Sequence, residues 1–376
     1  MEVNNKINAK ENIVNLSNSI LKYFKIKPYH DTLHDLDKLL NDNNYQNIVM
    51  FICDGLGNST LNNNLDINSF LRKNKFKKIN TVFPPTTTAA TTSILTGLYP
   101  SCHNWYGWDV YFKDTDETIS LYLNKLKDTK EEPKVNVLER KHMNYKTLVD
   151  LINEQAEFKA YYAYPFDKKY PCKNIDEVIN RITKICSRRD NFKRFIYAYI
   201  ENPDKLMHQD GINSKKVFEE VNHINDKIKE LASNLNNTLI IVTADHGLIN
   251  TTYINLKKDL PEIYNMLKRT TSIETRACGI KLKENIKKDD FINLYNKYLK
   301  KDFLILSLDD VKESSLFGPK QNDYLFDAIG DYLLVATGNI SIIYDDNSLI
   351  FKANHAGFTE EELEVPLILI DCNKDY

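Results

Sequence analysis

Four short stretches place carboxylates and imidazoles where they could share a cation. They are Asp54 in Asp54-Gly55-Leu56-Gly57, Asp204 and His208 in Asn202-Pro203-Asp204-Lys205-Leu206-Met207-His208, Asp245 and His246 in Thr243-Ala244-Asp245-His246-Gly247, and His355 in Asn354-His355-Ala356-Gly357. Carboxylate with imidazole is a hard-to-borderline ligand set suited to zinc or manganese. Adjacent side chains on an irregular turn can both reach one ion, and residues four apart lie on one side of a helical turn. A fifth stretch, Phe83 to Gly97, has two prolines, then Thr86, Thr87 and Thr88 where a short helix would start. Free N–H groups at such a start favour a phosphoryl group. A threonine hydroxyl is a weak nucleophile near neutral pH, and the stretch has no His or Lys to act as base, so metal coordination is the remaining route to an alkoxide. Each signal alone has a plain structural reading: a tight Asp-Gly turn, a capping Asp, a loop His, a Thr N-cap. Together they supply a nucleophile that needs a metal and ligands enough for two.

The elements that must position these groups are apolar runs ending in polar residues: Asn47 to Cys53 into Asp54, Phe195 to Ile200 before Asp204, and Leu239 to Ala244 into Asp245. Each reads as a buried strand of a parallel sheet. Between them lie amphipathic helices, marked by Ile175, Val178, Ile179, Ile182 and Ile185, and by Val217, Phe218, Val221, Ile224 and Ile228. Alternation of the two predicts an α/β fold with a mostly parallel central sheet and helices on both faces. Ligands bind beyond the carboxyl ends of such strands, where three of the acidic stretches would converge. Residues 1–44 read as a mostly helical lead-in broken at Pro28 and His30 to His34, where Asp31, Asp35 and Asp37 offer a weak second metal reading. Residues 45–250 form the catalytic core, 251–352 an inserted cap-like segment with a helix near Asp289 to Lys300 and strands at Tyr332 to Ala336 and Ile340 to Tyr344, and 353–376 a return to the core through the strand Val365 to Ile370.

Composition sets the outer bounds. The chain has 376 residues, 42% of them apolar, enough to bury a sizeable core. Lys and Arg (50) nearly balance Asp and Glu (52), so no basic surplus exists to bind a nucleic-acid polymer, and the expected partner is a small molecule. Six cysteines, at 53, 102, 172, 186, 278 and 372, lack CxxC spacing, which argues against a disulfide framework or a thiolate metal site. The N-terminus lacks a basic start followed by an apolar stretch, and no run of about 18 apolar residues occurs, so a cytoplasmic protein with no membrane association is expected.

The set Asp54, Thr87, Asp204-x-x-x-His208, Asp245-His246-Gly247 and His355-Ala-Gly resembles the alkaline phosphatase superfamily, and within it the type I phosphodiesterase and nucleotide pyrophosphatase family. The motifs run in that family's order over most of the chain. Phe83 to Thr87 with Leu95-Thr96-Gly97-Leu98-Tyr99-Pro100 is similar to its nucleophile segment, and Glu361 to Leu367 to its closing strand. The resemblance implies an alkaline phosphatase-like sandwich with an inserted cap. It also implies two zinc ions, with manganese as the alternative, one among Asp54, Thr87, Asp245 and His246, the other held by Asp204, His208 and His355. Thr87 is singled out from Thr86 and Thr88 by standing nine residues before Thr96, as in the family. The implied reaction is hydrolysis of a phosphodiester or nucleotide pyrophosphate through a phospho-threonine intermediate.

One departure touches specificity. Members of the best-known branch carry Asn three residues after the nucleophile, where this chain has Ala90, and Asn58 or Arg276 are the candidate replacement donors. Trp105, Tyr106 and Trp108 could stack a base or leaving group. A sulfatase is disfavoured because residues 83–97 hold no Cys or Ser followed closely by Pro and Arg. A phosphomonoesterase would be expected to carry an Arg near the nucleophile, absent between Phe83 and Thr96. A manganese-dependent phosphomutase is the main enzymatic alternative. A non-catalytic binding protein on this fold would have lost a ligand, and none is missing.

Overall fold

In the computed structural model, which describes residues 11–374, the strand Asn47–Cys53 is buried at every position, as its unbroken apolar sequence requires of a strand covered on both faces. It runs parallel to Lys193–Ile200 on one side and Thr238–Thr243 on the other. Phe158–Ala163 extends the sheet in parallel beyond 193–200, while Glu364–Asp371 pairs antiparallel with 238–243 and carries Lys75–Asn80 at the far edge. The three strands expected to present carboxylates are therefore immediate neighbours, and their carboxyl ends open on one side of the sheet.

Helices Ile175–Cys186 and Lys215–Ser233 fall where the three- and four-residue spacing predicted them, with their apolar stripes buried except at Phe218, which is exposed. Of the 1–44 lead-in, residues 1–10 lie outside the described residues, and the rest contains helices Ile13–Tyr23 and His34–Asn43. The first is part of the core. Ser17 Oγ donates to the Ile94 carbonyl (2.7 Å) and Asn18 Nδ2 to that of Gly97 (2.8 Å), clamping it to the helix Thr87–Thr96.

A second, seven-stranded antiparallel sheet departs from the expected boundaries. Its order is 303–307, 332–336, 277–280, 272–273, 109–112, 117–120, 125–126. Residues 109–126, assigned above to the core, thus pair with the 251–352 segment through Ile273 and Asp109. Their apolar side chains explain it: Val110, Phe112 and Ile119 pack with Ala277, Leu333 and Val335. No helix among the described residues is long and apolar enough to cross a membrane, and all six cysteines are free.

Candidate active site

Asp54 leaves the strand end through Gly55, whose φ of +72° is left-handed and suits glycine. This turn brings the Gly55 N–H to Asp245 Oδ1 (3.1 Å), joining two neighbouring strand ends. Gly247 serves close approach, since a Cβ there would lie 2.0 Å from the Glu361 carbonyl oxygen. Asp204 begins the helix Asp204–Asp210, and its N–H donates to the Asp54 carbonyl (3.0 Å). His208 follows one turn later with Nε2 3.3 Å from Asp204 Oδ2. His355 enters from the far end of the chain and its ring stacks on His246 at 3.9 Å.

Asp204, His246 and His355 form one group of converging donor atoms, and Asp54, Asp245 and His246 another, each within 4.8 Å. His246 belongs to both, so the two groups are one centre. These groups hold five of the seven residues named from sequence, and His208 and Thr87 adjoin them through Asp204 and His246, whereas among the described residues the His30 to His34 stretch forms no such group.

Whether these residues suit a cation is decided by their individual atoms. Asp54 Oδ1, Asp204 Oδ1, Asp245 Oδ2 and His355 Nδ1 are buried without a hydrogen-bond partner. Four of the candidate ligands are tethered through other atoms. Tyr199 OH donates to Asp54 Oδ2, and the His246 N–H to Asp245 Oδ1 (3.0 Å). His246 Nδ1 meets the Gly247 carbonyl (3.2 Å) and His208 Nδ1 that of Ala353 (2.7 Å), which puts each ring proton on Nδ1 and leaves the Nε2 lone pairs facing inward. Burial, then the charges of Asp245 and Asp204, raises Asp54 well above the usual carboxylate range. Asp204 is raised by burial and by Asp245. Burial pushes His208 down to about 4 and lowers His246 and His355 as well. Carboxyls pushed towards keeping protons beside imidazoles pushed towards losing them make a centre short of positive charge, and divalent cations fit it.

The three consecutive threonines separate. Thr86 and Thr88 are fully buried, while Thr87 is partly open and its Oγ1 lies 3.1 Å from His246 Nε2. The Thr86 hydroxyl donates to Glu274 Oε1 (2.6 Å). The helix N–H groups at 87–89 precede the first helical hydrogen bond, from Ala90 to the Thr86 carbonyl, and no side chain caps them.

The four candidate substrate residues lie otherwise. Arg276 is fully enclosed and bidentate to Glu362 (2.7 and 2.8 Å), an ion pair in the interior and not on the surface. Glu362 also accepts from the Gly357 N–H (2.7 Å), so the pair fixes the turn after His355. Breaking it by Glu362→Ala leaves an uncompensated buried cation, and urea unfolding should show a loss of about 3–5 kcal/mol, largely recovered in Arg276→Met/Glu362→Leu. Trp105 and Tyr106 are buried, the indole N–H on the Met143 carbonyl (3.1 Å) and the phenol on Asn104 and Asn322, so both rings serve the core. Asn58 Oδ1 accepts from Lys75 (3.2 Å). Ala90 faces the core. Sequence reading missed Tyr199, two positions along a strand from Tyr197, and Tyr122. Tyr122 is 46% exposed as a residue, its hydroxyl sits 2.7 Å from Thr91 Oγ1, and its ring packs against Trp105 and edge-on to Trp108. It also missed Glu274, whose nearness in sequence to Arg276 gave no hint of contact with Thr86.

Comparison with known proteins agrees with this geometry. The family model of type I phosphodiesterase / nucleotide pyrophosphatase matches residues 48–358. Among solved structures, murine ectonucleotide pyrophosphatase / phosphodiesterase 5, as an inactive variant in complex with AMP, has TM-score 0.60 at 16% identity, covering 85% of this chain and 86% of that one. The human protein of the same name has TM-score 0.60 at 16% identity, covering 86% and 87%. No curated protein sequence matches the chain. The chain belongs to the type I phosphodiesterase / nucleotide pyrophosphatase family, with an alkaline phosphatase-like fold, and is a hydrolase of phosphodiester bonds.

Proposed function

We propose that the protein hydrolyses small phosphodiesters or nucleotide pyrophosphates through a phospho-Thr87 intermediate at a two-zinc centre. The carrying observation is that Thr87 alone of its run opens beside His246 Nε2, at an uncapped helix start, in a centre with four unpartnered buried donor atoms. Asp54, Thr87, Asp245 and His246 would hold one cation, and Asp204, His208 and His355 the other. When bound, such a pair lowers the pKa of a hydroxyl and neutralises charge on a transferring phosphoryl group. The chain's own contribution is placement. Thr87 Oγ1 attacks phosphorus in line with the leaving alcohol; its bond to phosphorus forms as that ester bond breaks, the threonine proton leaves with the alcohol, and water then releases the phosphate with its second ester group still attached and returns a proton to Thr87. The N–H groups at 87–89 donate to the non-bridging oxygens, adding to the favourable end of the helix dipole.

A solved relative of the same fold is described in complex with AMP, which agrees with a nucleotide-like small molecule as substrate. In this chain the exposed ring of Tyr122, edge-on to Trp108 at 5.9 Å, offers a wall for a flat leaving group. Loss of one aromatic contact should raise KM for an aromatic ester about three- to tenfold in Tyr122→Ala with little change in kcat. Equal KM values would place the leaving group elsewhere.

The primary test compares p-nitrophenyl esters of a nucleotide with p-nitrophenyl phosphate, using zinc-loaded protein. Preference for the diester supports the reading. Preference for the monoester would favour a phosphatase, and turnover of neither would bring the mutase or binding-protein alternatives forward.

A further inference from the structure

Thr86 occupies the N-cap of the nucleophile helix with extended backbone angles (φ −140°, ψ 147°), the conformation from which a threonine hydroxyl ordinarily accepts a hydrogen bond from the first turn. It makes no such bond. Its hydroxyl is turned instead to Glu274 Oε1 at 2.6 Å, and the same oxygen accepts the Trp108 N–H at 2.7 Å. The backbone that delivers Glu274 is itself unusual: Ile273, fully buried and β-branched, has φ of +72°, a conformation such residues rarely adopt outside functional sites. Gly107 lets this backbone come close, since a Cβ there would sit 2.6 Å from the Ile273 carbonyl oxygen. One carboxyl group at the end of a strand of the second sheet thus holds both the residue before the nucleophile and the turn bearing Trp108.

We propose that Glu274 is a positioning residue for phosphoryl transfer: by holding the Thr86 hydroxyl as a donor, it prevents that hydroxyl from capping the helix and keeps the 87–89 N–H groups free for phosphoryl oxygens. This rests on the reading of Thr87 as the nucleophile. Without Glu274, the Thr86 hydroxyl is released in a backbone already shaped for capping, and it occupies the donors the substrate needs. The effect therefore runs through Thr86, so a second change at Thr86 should undo it.

The test uses full-length, metal-loaded protein and two readouts: inorganic phosphate affinity by calorimetry, and diester kcat and KM. Loss of oxyanion donors should lower kcat/KM about 30- to 100-fold in Glu274→Ala and weaken phosphate binding about tenfold, with metal content unchanged. Glu274→Gln keeps an acceptor oxygen and should stay within about threefold of wild type. Thr86→Val cannot cap and should also lie within about threefold, and Glu274→Ala/Thr86→Val should recover most of the loss. A double variant as poor as Glu274→Ala would overturn the inference, because a purely structural role predicts no rescue. If Glu274→Ala does not fold, Glu274→Gln and Thr86→Val still decide: a loss above about 30-fold in either overturns it. Wild type that binds phosphate and turns over diester while Glu274→Ala behaves identically sinks this inference alone. Wild type with neither property sinks the hydrolase reading, and this with it.

Discussion

Replacing Thr87 with Ala should cut diester turnover by at least about 10³-fold while leaving the metal content unchanged. The hydroxyl is one candidate donor of seven, and four of the remaining six side chains keep tethers that do not involve it: Tyr199 on Asp54, backbone N–H groups on Asp245, carbonyls on His208 and His246. Thr87 is also the partly open member of its run, so its truncation removes no core packing and should shift stability by no more than about 1 kcal/mol. Thr86 and Thr88 cannot substitute, being enclosed. Acid-quenched wild type given a diester labelled at phosphorus should carry the label on the peptide containing Thr87, and the variant should carry none. Turnover that survives in Thr87→Ala would instead assign the attack to water.

Stripping divalent metal with a chelator should abolish activity completely, and restoring it should release protons. The sign follows from the shifts. Burial raises Asp54 and Asp204, so in metal-free protein these carboxyls hold protons at pH values where an ordinary carboxylate has lost them. His208, His246 and His355 are lowered by burial and have none to give up near neutral pH. Ligation requires the ionised carboxylate, so the protons leave as the ion enters. Apparent affinity should consequently fall as pH falls, by about tenfold per pH unit for each proton released. Zinc titrations in two buffers of different ionisation enthalpy measure the count directly. A heat independent of buffer would mean that the carboxylates are already ionised without metal.

Much of this site was legible because its chemistry is local. A strand with no polar side of its own must be covered on both faces, so 47–53, 193–200 and 238–243 announced a parallel sheet, and a polar residue at the end of such a strand has only one side on which to emerge. The candidate ligands could accordingly be named one stretch at a time: Asp54, Asp204 with His208, Asp245 with His246, and His355. Residue spacing alone left the three threonines equivalent, and only resemblance chose among them. In the structure, Thr86 is turned to Glu274, Thr88 is buried, and Thr87 is open.

Where the partner lay far along the chain, sequence was silent. Arg276 read as a candidate donor or as half of an exposed ion pair because its sequence neighbours do not reveal burial; its partner is not the nearby Glu274 but Glu362, 86 residues away. Trp105 and Tyr106 read as a platform because aromatic type does not say which face is covered, and the second sheet covers theirs, while Tyr122 is left exposed. The division into core and cap failed at 109–126 for the same reason, since short half-buried strands carry no label for the sheet they join. The sequence by itself determined which residue types stand at the strand ends, and so the chemistry, because that depends on bonded neighbours and local periodicity. Tertiary structure alone decided which hydroxyl is free, which cation is neutralised and which ring is bare, because each depends on contacts between segments distant along the chain.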